Sequence, residues 1–218
     1  MKYIRTIVCP VLLTVVLLLA VRGLLVNHVR MPADAAVEGF APRQHLLVSL
    51  TYYGLRLPGE TLWGYHRWGY RVPAKGDPVL FYLPWQKGQP RPGLQAVGFC
   101  RALPGDTVWI DSAAQKILPA RTSSGAQPLV IPGRNRKVKI TPYNAKLYAF
   151  ILRTYEHTAA TVDARRRLMI RDVPLTHLTT CRDYYWMETR PGAYVLVPHD
   201  ALVGKIIYGY KTKARGAK

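Results

Sequence analysis

Between Ile7 and Val26 the chain carries a single charge, Arg22. A helix needs about 20 apolar residues to cross a bilayer core, and this run supplies them. Arg22 stands near the exit end, where a long side chain can reach the headgroups. Lys2 and Arg5 precede the run and suit either an anchor or a cleaved signal peptide. Ala20-Val21-Arg22 is a poor cleavage site, because arginine occupies a place that wants a small residue, although Val21-Arg22-Gly23 is passable. The sequence therefore predicts a retained transmembrane anchor with flanks over 1–30 and an extracytoplasmic domain over 31–218 hung directly from it. The charges on either side do not fix orientation, since large domains translocate largely regardless of charge.

About 190 residues after the anchor suffice for one domain with a real core and leave room for a subdomain. Seventeen glycines and 17 prolines, spread along the chain, suit a loop-rich β domain. The formal net charge is +19. Part of it clusters at Arg134, Arg136, Lys137 and Lys139, at Arg165-Arg166-Arg167, and in the tail Lys211, Lys213, Arg215 and Lys218. Such a balance favours anionic partners, or simply keeps a solvated surface soluble. No nucleic-acid-binding motif is present, and the anchor makes lipid the nearer anion. Cys9, Cys100 and Cys181 have no metal-ligand spacing, so neither metal nor cofactor is expected. A Cys100–Cys181 bond could form outside the cytoplasm, but two buried free thiols are the preferred reading.

Taken in order, His45 to Thr51 reads as a strand. Tyr52, Tyr53, Trp63, Tyr65, Trp68 and Tyr70 crowd a glycine- and proline-broken loop. Tryptophan and tyrosine favour the membrane interface, so Tyr52, Tyr53, Trp63 and Trp68 are candidate membrane contacts, against the alternative of a loop folded over a small core. A turn at Pro73–Asp77 leads into a strand at Pro78–Tyr82. A hairpin is expected from Ala96–Ala102 through the turn Leu103-Pro104-Gly105-Asp106 to Thr107–Ile110. One soluble helix is expected, with Thr141 as N-cap, Pro142 at its first position, and Leu147, Phe150, Ile151 and Tyr155 on its buried face. A second hairpin turns at Arg171-Asp172 between Leu168–Ile170 and Val173–Leu175. Tyr184–Met187, Tyr194–Val197 and Leu202–Tyr208 read as closing strands.

Several of these pieces, in this order, resemble the bacterial type I signal peptidases of the S26 family, membrane-bound serine proteases that use a serine–lysine dyad. Arg22 and Pro32 stand at that family's spacing. Lys75-Gly76-Asp77 with Val79–Phe81, and above all Leu103-Pro104-Gly105-Asp106, match its next boxes. Thr141-Pro142 with Leu147-Tyr148, and Tyr53-Gly54-Leu55-Arg56-Leu57-Pro58, resemble segments of the Bacteroidota branch. Asp183–Met187 and Val197-Pro198 through Val203-Gly204-Lys205 match the last box on its two sides. The resemblance covers nearly the whole chain. It implies a mainly β, signal-peptidase-like domain on a single N-terminal transmembrane helix, with the soluble α-helix in an insertion near 112–182. It also implies a place in the bacterial inner membrane, facing the periplasm.

The departures fall on the chemistry. Counting from Pro32 puts the nucleophile's place at Ala35, and a methyl group cannot attack a carbonyl. Counting back from the Leu103–Asp106 turn puts the general base's place at Gly98, which has no amine to activate. Between Met187 and Val197 the chain is too short for the loop that supports the dyad, and Asp34 is an odd neighbour for the nucleophile. Ser49, Ser123, Ser124 and Lys75 occupy no comparable place. The resemblance thus implies a scaffold without catalysis that binds a membrane-tethered signal peptide or pre-protein, or an active signal peptidase. Binding and bond-breaking are separable, and strand addition needs only backbone groups. The candidate groove residues are Pro32, Asp34, Ala35, Ala36, Val79, Leu80, Phe81, Val97 and Phe99, with an edge near Val79–Tyr82 and Val97–Cys100. A chain carrying both Ala35→Ser and Gly98→Lys is expected to fold and stay nearly inert. Two alternatives stand beside this reading: a working peptidase with an unrecognised nucleophile, and a basic module that binds the membrane surface by charge.

Overall fold

The computed structural model describes residues 25–31, 39–57, 64–84, 94–111, 116–118 (backbone only) and 126–210, together with 8, 10–15, 18 and 37. Much of the expected anchor, and the tail from 211, lie outside the described residues. Among the described residues no helix is long and apolar enough to cross a membrane. The fold is mainly β, with 17 strands among the described residues. It divides into two compact units: Met1–Ala35, Phe40–Val72 and Gly204–Lys218 form the first, and Ala36–Gly39 with Pro73–Val203 the second.

In the first unit β1 (Val26–Arg30), β2 (His45–Ser49) and β17 (Leu202–Tyr210) form antiparallel strands in the order β1-β2-β17. Val26, which the sequence places at the end of the anchor, instead opens a strand. It pairs with Ser49, and Arg30 pairs with His45. The backbone of Leu50 extends this pairing by donating to Leu25 O at 2.9 Å. Exposure along β1 alternates, with Asn27 and Val29 half-buried and Val26, His28 and Arg30 exposed, as a strand's period of two demands, although the two valines are three residues apart in the sequence. β2 is a strand as expected, and its burial alternates, with Leu46 and Val48 buried and their neighbours half-buried. The aromatic loop contains two short paired strands, β3 (Leu55–Arg56) and β4 (Arg67–Trp68). Arg56 and Arg67 stand opposite each other, and each guanidinium lies over the Tyr65 ring, at 5.5 and 5.7 Å. The ring's negative face thus offsets the like charges.

The second unit holds the antiparallel strands β5 (Pro78–Tyr82), β6 (Gln95–Ala102), β15 (Tyr184–Arg190) and β16 (Ala193–Pro198), in that order. β7 (Thr107–Asp111) does not fold back on β6 as the expected hairpin would require. It pairs instead with β8 (Lys116–Leu118) and β9 (Ala126–Val130). The reason lies in the turn between them. Asp106 Oδ2 accepts from Leu103 N at 2.7 Å, while Gly105 N donates to Ile131 O and Ile131 N to Asp106 O, both at 2.8 Å. The turn is thereby stitched to the end of β9, and β6 already has β5 on one side and β15 on the other. Smaller pairs β10 (Lys137–Lys139) with β14 (His177–Thr179), and β11 (Ala160–Val162), β12 (Leu168–Ile170) and β13 (Val173–Leu175), complete the unit. The β12–β13 hairpin is as predicted. Arg171 and Asp172 both take positive φ, 48° and 62°, as a tight two-residue turn of matching twist demands.

The helix, α1 (Ala145–Thr154), starts later than predicted, with Asn144 as N-cap. Thr141 and Pro142 belong to the turn before it. There Thr141 N donates to Asn144 Oδ1 at 2.7 Å and Asn144 Nδ2 to Lys139 O at 3.1 Å. The buried face is also rotated: Ala145, Tyr148, Ala149, Ile151 and Leu152 are inside, whereas Leu147 and Phe150 are only partly covered. Tyr148 can be buried because its hydroxyl donates to Val130 O at 2.7 Å. This face packs with Leu129, Ile131, Val138, Leu168, Leu178, Tyr184, Trp186 and Leu196 into the unit's core. Each large apolar side chain so buried contributes about 1.5–3 kcal/mol.

Candidate functional site

Of the predicted groove, Pro32, Asp34, Ala35 and Ala36 lie outside the described residues, as does Trp63 of the predicted membrane contacts. The rest of the groove is on β5 and β6 and does not form an open edge. Val79, Leu80, Phe81 and Val97 are buried, and only Phe99 is half-exposed. β6 is hydrogen-bonded on both sides, Val79 facing Gly98 on β5 and Glu188 facing Phe99 on β15. The edge expected at Val97–Cys100 is therefore interior, because the chain returns through Tyr184–Arg190 to cover it.

Gly98 is packed against that returning strand. A Cβ built on it would stand 2.6 Å from the backbone oxygen of Glu188 and 3.2 Å from Phe81 Cε1. Not even alanine fits there without movement, so the expectation that a Gly98→Lys chain folds normally is overturned. The segment from Met187 to Val197 is a hairpin: Arg190 pairs with Ala193 across Pro191-Gly192, and Gly192 takes φ 78°. The described strands β15 and β16 occupy the place where the resemblance calls for a supporting loop.

The polar groups near Gly98 are an ion-paired cluster. Arg101 Nε donates to Glu188 Oε2, and the Arg101 guanidinium lies 5.3 Å from the Phe99 ring centre. Gly192 N donates to Glu188 Oε1 at 3.3 Å, and Tyr194 also hydrogen-bonds this carboxylate. Partial burial pushes the Glu188 pKa up, but the bonds from Arg101, Gly192 and Tyr194 outweigh it and hold the carboxyl below its ordinary range. A carboxylate so committed is a poor general base. The sequence gives little sign of this cluster, since Arg101 and Glu188 are 87 residues apart.

Lys75 is likewise engaged. Its Nζ lies 2.9 Å from Asp106 Oδ2 in an exposed ion pair. Burial raises the Asp106 pKa, and the Leu103 amide and Lys75 more than offset it, leaving the carboxyl below its usual value. Arg136 closes the same turn by donating to Pro104 O at 3.2 Å. The most recognisable motif of the chain thus holds a turn together.

Nucleophile candidates fare no better. Cys100 is buried, and desolvation, aided by the charges of Asp77 and Asp106, pushes its thiol up to about 12. A thiol at that pKa supplies almost no thiolate at neutral pH. Cys181 is exposed and free, so the expectation of two buried thiols holds only for Cys100, and the two are unbonded. Thr180 is buried, and its hydroxyl lies 2.9 Å from the Arg182 carbonyl and 3.2 Å from that of Gly133, with one proton to share between them. A cleft of about 270 Å³ opens beside the start of α1, lined by Ile110, Leu129, Tyr143, Lys146 and Arg166 among others, and no predicted groove residue lines it.

No family model, no curated protein and no solved structure matches this chain. The functional reading rests on its own residues.

Among the predicted membrane contacts, Tyr53 is a correction. It is 0 % exposed, because its ring turns inward with Tyr52 edge-on at 5.2 Å. Trp68 is 77 % exposed, and Tyr52, Tyr70 and Val72 are also exposed. Lys205 Nζ lies 4.3 Å from the centre of the Tyr52 ring. This surface of the first unit therefore presents aromatic rings beside cations.

Proposed function

We propose that this chain is a signal-peptidase-like membrane protein without peptidase activity, retained in the bacterial inner membrane with its domain in the periplasm, that holds a membrane-tethered peptide or an active peptidase partner. The observation that carries the reading is Gly98, where the resemblance requires a lysine and the packing has no room for a Cβ. The short Pro191-Gly192 hairpin and Ala35 support it. An unassisted serine is a weak nucleophile at neutral pH, so a hydroxyl at position 35 would find no base. Peptide capture by strand addition moves in this reading from β5 and β6 to β1, the outer strand of its sheet, which has β2 on one side.

The test uses the full-length protein in liposomes with a signal-peptide-bearing pre-protein. Neither the natural chain nor Ala35→Ser cleaves it. Photo-crosslinkers placed at Asn27 or Val29 capture it, and one placed at Phe99 does not. Cleavage by the natural chain, or capture confined to Phe99, would overturn the proposal.

A second reading has its own support. Exposed Trp68 in the short pair that carries Arg56 and Arg67, and exposed Tyr52 beneath Lys205, suit a module that docks on anionic lipid. In that case vesicle binding falls steeply with salt and does not depend on β1.

A further inference from the structure

His28 on β1 and His45 on β2 face each other across the strand pair. His45 Nδ1 and His28 Nε2 are 2.9 Å apart, their ring centres are 4.8 Å apart and their planes differ by 16°. The Tyr210 hydroxyl lies 3.2 Å from the same His28 nitrogen, with its ring stacked 5.4 Å from that of His45. The strand register fixes this grouping. His45 is directly opposite Tyr210 on β17 and Arg30 on β1, and His28 is the diagonal neighbour two residues before Arg30. His28 is exposed and His45 half-exposed, so the group is open to solvent.

We propose that His28 and His45 are the imidazole ligands of a site for a divalent late transition ion of tetragonal preference, copper(II) first. At metal–nitrogen bonds of about 2.0–2.1 Å, nitrogens about 2.9 Å apart subtend about 90°, the angle between neighbours in a square plane. A tetrahedral zinc site would set them about 3.3 Å apart or more. The Tyr210 oxygen lies close enough to supply or orient a third ligand, and water completes the set. Among the described residues no group of three or more His, Cys, Asp or Glu could hold a metal, so the proposed site has these two imidazoles and takes its remaining ligands from Tyr210 and water.

The binding step balances without net proton release. In the neutral pair one nitrogen donates to the other across the 2.9 Å gap. A metal needs both lone pairs, so that proton moves, through water, to the far nitrogen of its own ring. His28 then carries its proton on Nδ1 and His45 on Nε2. Arg30 shares the row with His45, and its charge opposes a bound cation.

The experiment is a titration of the full-length, detergent-solubilised protein with copper(II) alone, followed by calorimetry and electron paramagnetic resonance. One copper per chain is expected, with superhyperfine splitting from two imidazole nitrogens and zinc(II) binding at least about tenfold weaker. His28→Ala and His45→Ala each weaken copper binding about tenfold or more. Arg30→Ala tightens it severalfold. Unchanged thermal melting of each variant shows that the sheet is intact, and Tyr210→Phe, which keeps the ring, retains both nitrogens in the spectrum. A copper signal that survives in the His28→Ala, His45→Ala double variant arises elsewhere on the chain and overturns the proposal, as does zinc binding as tight as copper.

Discussion

Replacing Gly98 by alanine is the simplest probe of the reason this chain lacks a base. In an ordinary strand interior the change should stabilise, by about 0.5–1 kcal/mol, because glycine loses the most backbone freedom on folding. Here the added methyl stands 2.6 Å from Glu188 O, a backbone atom, and 3.2 Å from a ring carbon of Phe81, which is fully buried. Glu188 cannot retreat freely, since its strand is paired with β6 on one side and β16 on the other. An extra methylene forced into such packing costs about 1–3 kcal/mol. The steric term wins, leaving a net loss of about 1–2 kcal/mol, which lowers the midpoint of thermal unfolding by about 3–6 °C for a chain of this size. Circular dichroism and tryptophan fluorescence of the full-length protein in detergent measure it. Gly98→Lys should lose more, because its amine must also leave water. An unchanged or raised midpoint for Gly98→Ala would refute the claim that β15 excludes a side chain there.

Three further outcomes follow from named contacts. Tyr148→Phe leaves the Val130 carbonyl without its hydroxyl donor and should cost about 1–3 kcal/mol in urea unfolding, since the ring is fully buried. Asp106 has its carboxyl held below its unfolded value of about 3.9, so its contribution to stability is present above that pH and is lost as pH falls through the lower folded value; Asp106→Asn should flatten the acid limb of the stability profile and loosen the Leu103–Asp106 turn. In single-tryptophan variants with brominated lipid, Trp68 should be quenched and Trp186, which is buried in the second unit, should not; equal quenching of both would remove the membrane-facing role of the aromatic surface.

The sequence alone determined what depends on neighbours along the chain. The strand at His45–Ser49, the Arg171-Asp172 turn and the Tyr184, Tyr194 and Leu202 strands were legible because strand composition and turn chemistry act over a few residues. Strand partners were not legible, because pairing is set by which distant segments bury one another. β6 and β7 flank a turn that looks like a hairpin, yet Ile131 takes the amide and carbonyl of that turn and sends β7 into another sheet. The helix face drifted for a similar reason: Tyr148 is inside only because the Val130 carbonyl, 18 residues away, receives its hydroxyl. At the candidate site, the sequence showed that Gly98 has no amine. Only the tertiary structure decided that no side chain can stand there, that the neighbouring edge is closed by β15, and that His28, His45 and Tyr210, up to 182 residues apart, converge on one surface. Steric room and edge exposure belong to the packed sheet, and no local pattern encodes them.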